Sequence, residues 1–135
     1  MHKIYTRLVM LAVMIAPLIL GAAEPPSVED GKGLVLLYRM SKAKGAAIGF
    51  NLRSSSGFSG NLSNGSWLFE QVEPGQYTYS VSSPSFDGQD SITVNVATGQ
   101  TYYLKGEIKW GWPAGRTKFS SIPESSGQAE LAKIK

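Results

Sequence analysis

The chain contains no cysteine, and its single histidine, His2, stands next to the first residue. Without cysteine there is no disulfide and no lipid attached through an N-terminal thiol, so stability must come from burial. Without histidine in the body of the chain, a serine nucleophile lacks its ordinary base, and zinc or copper lose their commonest ligands. Charge is sparse as well, with Asp, Glu, Lys and Arg making up 17% of the residues. Its 13 basic and 10 acidic residues give a formal +3, and no basic stripe of the kind that binds nucleic acid stands out. Beyond the N-terminus no apolar run approaches the roughly 20 residues of a membrane span.

The one long apolar stretch runs from Leu8 to Leu20, broken by Pro17, preceded by Lys3 and Arg7 and followed by Gly21, Ala22 and Ala23. A basic start, a short apolar middle and small residues at the end are the parts of a secretory signal peptide. Residues 1–23 are therefore expected to be cleaved after Ala23, leaving a periplasmic or secreted chain with no stable membrane span and no lipid. An uncleaved N-terminal anchor is the competing reading. Cleavage removes His2, Lys3 and Arg7, which leaves 11 basic residues against 10 acidic and no histidine at all. The remaining 112 residues (135 less 23) suffice for one compact domain.

Residues 24–31 carry two prolines, three acids and a glycine with no apolar period, the composition of a flexible leader. Leu34 to Tyr38 is a continuous apolar run between Gly33 and Arg39, which predicts a central strand buried on both faces. After a Lys- and Gly-rich loop, Ile48, Phe50 and Leu52 alternate with Gly49, Asn51 and Arg53, the period of a half-exposed strand. Ser54 to Gly60 reads as a loop. Asn64 and Gly65 predict a tight hairpin between a run ending at Leu62 and the strand Trp67 to Phe69. Pro74 and Gly75 occupy the central positions of a type II turn. Tyr77, Tyr79 and Val81, then Ile92, Val94 and Val96, face inward at period two, and Thr101 to Lys105 follows, so these strands are expected to pair as a meander. Trp67, Tyr77 and Tyr79 are expected in the core. In the tail, Ser125 and Gln128 have capping-box spacing and Leu131 and Ile134 share a helical face. Residues 32–123 are thus predicted to form an all-β domain, an antiparallel two-sheet sandwich of about seven strands, with a short C-terminal helix over 124–135.

Lys32 to Arg39, then Asn64, Gly65 and Phe69, then Val72, Pro74 and Gly75, then Thr101 to Leu104, and finally Gly115 and Arg116 resemble a bacterial domain-of-unknown-function family, number twenty-eight forty-six. The resemblance runs over most of the chain after residue 23. It implies an exported or lipoprotein-type domain of the transthyretin-like or carboxypeptidase-regulatory-like sandwich class, broadly immunoglobulin-like in build. It implies no chemistry. The chain departs from lipoprotein members by lacking the acylated cysteine, and its Trp110-Gly111-Trp112-Pro113 segment is more aromatic than the family pattern.

No catalytic constellation stands out. Ser54, Ser55 and Ser56 lie in a glycine-flanked loop with no helix-borne lysine, and read as solvated loop. Glu70 and Glu73 are the closest carboxylate pair on the long hairpin, and read as a water-facing strand residue and a turn residue. Asp87 and Asp90 resemble part of a calcium loop but read as turn residues, since a calcium site needs six or more oxygens. Residues 57–65 lack the Gly-Lys-Ser ending of a phosphate loop. Neither metal nor cofactor is expected.

Trp110 and Trp112 remain, two apart on extended backbone, either as a stacking platform for a sugar ring or partner surface or as covers for the open end of the sandwich. Lys109 and Arg116 would supply hydrogen-bond donors at the rim. Arg39, ending the buried strand, is expected as a hydrogen-bonded lid at the core edge, with ligand contact as the second reading. These residues make the expected function a non-catalytic exported envelope module that binds a protein or glycan. The alternative is a structural component of a larger envelope assembly, joined through β-edge pairing.

Overall fold

The computed structural model describes residues 24–112 and 114–134. The signal peptide read from residues 1–23 lies outside the described residues. Among these residues eight strands precede one helix: β1 (Gly33–Arg39), β2 (Phe50–Ser54), β3 (Ser59–Leu62), β4 (Ser66–Val72), β5 (Gly75–Ser83), β6 (Phe86–Val96), β7 (Thr101–Lys109), β8 (Arg116–Ile122) and α1 (Glu124–Leu131). They form two four-stranded sheets, the first in order β4-β1-β7-β8 and the second in order β3-β2-β5-β6.

The continuous apolar run of β1 is explained by two cores. Val35 and Leu37 pack between the sheets with Leu52, Tyr79, Val81, Val94, Val96, Leu104 and Phe119. Leu34, Leu36 and Tyr38 point the other way, against Tyr103 and the helical tail residues Leu131 and Ile134. All seven residues of β1 are buried, as their sequence predicts. Each fully buried aliphatic side chain of this set contributes roughly 1.5 to 3 kcal/mol of transfer free energy.

The pairing differs from the sequence reading in several places. The described residues form eight strands, and the first sheet is not wholly antiparallel, because β1 runs parallel to β7 from Leu34↔Thr101 to Tyr38↔Lys105. Parallel neighbours need a long crossover, and here the crossover passes through the second sheet. The strand that sequence reading missed is β8, where Thr117 and Phe119 turn inward from an otherwise polar stretch. Of the expected meander only the β5–β6 pair forms: β6 to β7 changes sheets, as β4 to β5 does, and β7 pairs instead with β8.

Asn64-Gly65 is likewise a crossing between sheets and not a hairpin. Only Gly65 has a positive φ (64°), whereas a type I′ turn needs both residues there. Asn64 instead uses its side chain, accepting the Lys42 amide at 2.9 Å. Gly75 has a φ of 158°, nearly extended and far from the +80° of a type II turn, because it already belongs to β5. Asp87 and Asp90 lie within β6 and are not loop residues. Of the three aromatics expected in the core, Tyr79 is fully buried, while Trp67 and Tyr77 are half-buried at its margins.

The outer face of the first sheet is covered by α1 and the leader. The Tyr38 hydroxyl donates to Glu130 Oε1 at 2.6 Å, and Lys105 Nζ meets Glu130 Oε2 at 2.8 Å. Lys105 and then Tyr38 hold the Glu130 carboxyl below its ordinary range. Pro123 caps α1 with no side-chain hydrogen bond, so the Ser125/Gln128 capping box does not form. Gln71 on β4 secures the leader, accepting from the Glu29 amide at 3.1 Å and donating to the Ser27 carbonyl at 2.9 Å.

Candidate functional site

The β1 alternation that sends Val35 and Leu37 between the sheets sends Arg39 there as well, at the open end of the core. It is 4% exposed. Its guanidinium donates to the carbonyls of Ile48 and, at 3.3 Å, Leu62 through Nη1, and to Gly45 at 3.0 Å through Nη2. It also lies 4.3 Å from the centroid of the Phe50 ring. Burial pulls its pKa below the ordinary arginine value. The expected lid is therefore present, and it does a second thing by pinning the loop that follows β1.

That loop turns back on itself at Gly45, whose φ is +81°. A Cβ there would stand 2.7 Å from Ile108 Cδ1 and 3.0 Å from Trp110 Cζ2, so only glycine lets the loop lie against the end of β7. Between the loop and β7 is a recess of about 290 Å³. Its wall is Met40, Ala43, Ile108 and Trp110, and its charged lining is Arg39, Lys42, Lys44 and Lys105 against one carboxylate, Glu107. Sequence reading passed over Lys42 and Lys44 as ordinary loop residues. Their signal is the spacing Lys42-Ala43-Lys44-Gly45, a turn that sets two cations on one small loop.

Trp110 is 44% exposed and Trp112 is 97% exposed. The two indoles do different work. Trp110 meets Phe86 edge-on at 6.0 Å and 88°, and the Lys44 ammonium sits 4.3 Å over its ring. Trp112 stands clear at the tip beyond β7. Lys109 and Arg116 pair in register as the last residues of the β7–β8 ladder, directly behind that tip. Arg116 opens onto a different shallow hollow with Asp87, Gln89 and Asp90. Hence Arg39 and Trp110 share the recess, Lys109, Arg116 and Trp112 belong to the tip, and Trp110 joins the two.

Of the four carboxylates considered, Glu70 and Asp90 have structural partners for their side chains, and Glu70 is not the water-facing residue its sequence suggests. Glu70 on β4 accepts from the Tyr79 hydroxyl at 2.6 Å and from Ser56, tying the first sheet to the second. Burial and this carboxylate together push the Tyr79 hydroxyl far above its ordinary pKa. Asp90 accepts the Phe119 amide at 2.8 Å and so occupies the free edge of β8. Among the described residues no group of three or more His, Cys, Asp or Glu is placed to hold a metal, and no helix is long and apolar enough to cross a membrane.

Fold and site together define an all-β, two-sheet sandwich with a tryptophan tip and a cation-lined recess at one end. The chain belongs to the family described as protein of unknown function DUF2846, whose model matches residues 29–120. The match ends inside β8, so α1 lies beyond it. No curated protein and no solved structure matches the chain.

Proposed function

We propose that this protein is a non-catalytic binding module of the bacterial envelope, exported by cleavage after Ala23 and soluble in the periplasm or secreted, which engages a protein or glycan through its tryptophan tip. The observation that carries this reading is the indole of Trp112, almost wholly exposed and backed by Lys109 and Arg116. A bare indole can bury most of its apolar area on docking, and tryptophan and arginine are the residues that most often anchor interfaces. The sandwich is assigned to the transthyretin-like class on the family resemblance carried by residues 32–39, 64–75, 101–104 and 115–116. A catalytic role finds no support, since the chain after residue 23 has no histidine or cysteine and Glu70 and Asp90 are engaged in structural hydrogen bonds.

Affinity capture from envelope extract, run with wild type and Trp112→Ala side by side, tests the proposal. A partner or glycan held by wild type and lost by the variant at an unchanged melting temperature supports it. Equal capture by both proteins overturns it. Intact mass decides the export step: a mature chain starting at Glu24 is expected, and a mass retaining residues 1–23 in the membrane pellet favours the anchored form.

A second reading has its own observation. β4 is an edge strand, and its outer face carries Phe69, 43% exposed, packed 6.2 Å from Trp67. This pair would suit assembly into a larger structure through the β4 edge. Loss of a stoichiometric large partner in Phe69→Lys, with capture intact in Trp112→Ala, would select this reading over the first.

A further inference from the structure

We propose that the recess behind Trp110 is a binding site for a small organic carboxylate with an apolar body, distinct from the Trp112 tip. At about 290 Å³ it lies at the lower end of small-molecule sites and is too small for a folded partner. Met40, Ala43, Ile108 and the Trp110 indole give it an apolar wall, while the charged residues among its lining are Arg39, Lys42, Lys44, Lys105 and Glu107.

Not all four cations are equally available. Lys105 is paired with Glu130 at 2.8 Å. Arg39 gives three hydrogen bonds to main-chain carbonyls, out of the five donors a guanidinium has. Lys42 and Lys44 have no carboxylate partner among the described residues; the Lys44 ammonium rests on the indole face. An arriving anion therefore displaces no existing ion pair and meets two ammonium groups beside an apolar wall.

The loop carrying these lysines is already held in place. Arg39 bonds the Gly45 and Ile48 carbonyls, and Asn64 Oδ1 accepts the Lys42 amide. Little ordering remains for the ligand to supply. The largely apolar wall favours a monoanion, because stripping water from a dianionic phosphate costs more there. A neutral molecule would leave the lysines unanswered, and a cation would be repelled.

Titration of the ¹⁵N-labelled protein with octanoate, octanol, octyltrimethylammonium and octyl phosphate tests this, since the four probes share one body and differ in the head. Octanoate should shift the Gly45, Gly106 and Ile108 amides and the Trp110 indole N–H saturably, with the other three at least about tenfold weaker. Lys42→Met combined with Lys44→Met should weaken octanoate about tenfold, leave octanol unchanged and preserve the melting temperature. Octanol binding as tightly as octanoate, or octyl phosphate binding more tightly, would overturn the carboxylate assignment. Shifts confined to the groove around Gln128 and Leu131, or no saturable shift, would overturn the site itself.

Discussion

Arg39 hands hydrogen bonds to carbonyls from three separate segments, the loop turn at Gly45, the approach to β2 at Ile48 and the end of β3 at Leu62. Replacing it with methionine keeps much of the volume and strips those carbonyls of a donor. Arg39→Met should destabilise the fold by about 1 to 3 kcal/mol, read as a lower urea midpoint at unchanged slope. Arg39→Lys should recover only part, since an ammonium cannot reproduce the planar fork. An unchanged midpoint in the methionine variant would mean that water satisfies the carbonyls and the lid is dispensable. The tryptophans should separate in the same assay. Trp112→Ala should melt with wild type, because the ring is almost wholly exposed. Trp110→Ala gives up the Phe86 contact and part of a half-buried ring, for about 1 to 2 kcal/mol, well short of the 3 to 5 of a buried indole.

The helix α1 is stabilised by what it touches, since its N-terminus has no side-chain cap. A Cβ at Gly127 would stand 2.3 Å from Tyr103 Cγ and 2.7 Å from Tyr103 Cβ, distances no side-chain adjustment relieves. Gly127→Ala should therefore loosen the helix from the sheet although alanine is the better helix former, and faster amide exchange in residues 124–131 would report it. A rise in protection would show that propensity outweighs the contact. Acid should act on the same element through Glu130. Its carboxyl titrates lower in the folded state than in the unfolded chain, so its contribution is present above the unfolded carboxylate pKa and lost as pH falls through the folded one. Helix exchange should accelerate over that acid range, and Glu130→Gln should flatten the dependence. How readable each element was in the sequence follows from what surrounds it. β1 announced itself because both faces are buried, and β2 and β6 because one is. β8 did not, since its inward positions are Thr117 and Phe119 among serines and a lysine. Asn64-Gly65 and Pro74-Gly75 look like hairpin turns locally, but whether a chain reversal stays in its sheet depends on distant partners. The Arg39 lid was readable as a charge ending a buried run. The recess was not, because Lys42 and Lys44 meet Ile108 and Trp110 only once the sandwich has closed.

At the scale of the molecule, the first sheet is covered on its outer side by α1, a segment beyond the family match. A chain ending at Pro123 should expose Leu34, Leu36 and Tyr103 as one apolar face. Light scattering after size exclusion should then find oligomers, whereas a well-behaved monomer would mean that the leader alone covers the face. The placement of β1 has a further consequence, one that concerns time. It is the first strand of the described residues, yet its neighbours are β4 and the much later β7. The β5–β6 hairpin can form from adjacent residues, but the centre of the first sheet must wait for a loop closure that spans the whole second sheet. Through that interval Leu34 to Tyr38 has at most β4 beside it and keeps its β7 edge open, an uncharged, β-prone segment of the composition that seeds cross-β aggregation. The stretch that makes the best core strand of the finished protein is thus the most hazardous stretch of the unfinished one, and the arginine and lysine that bracket it at positions 39 and 32 are the charges placed to restrain it.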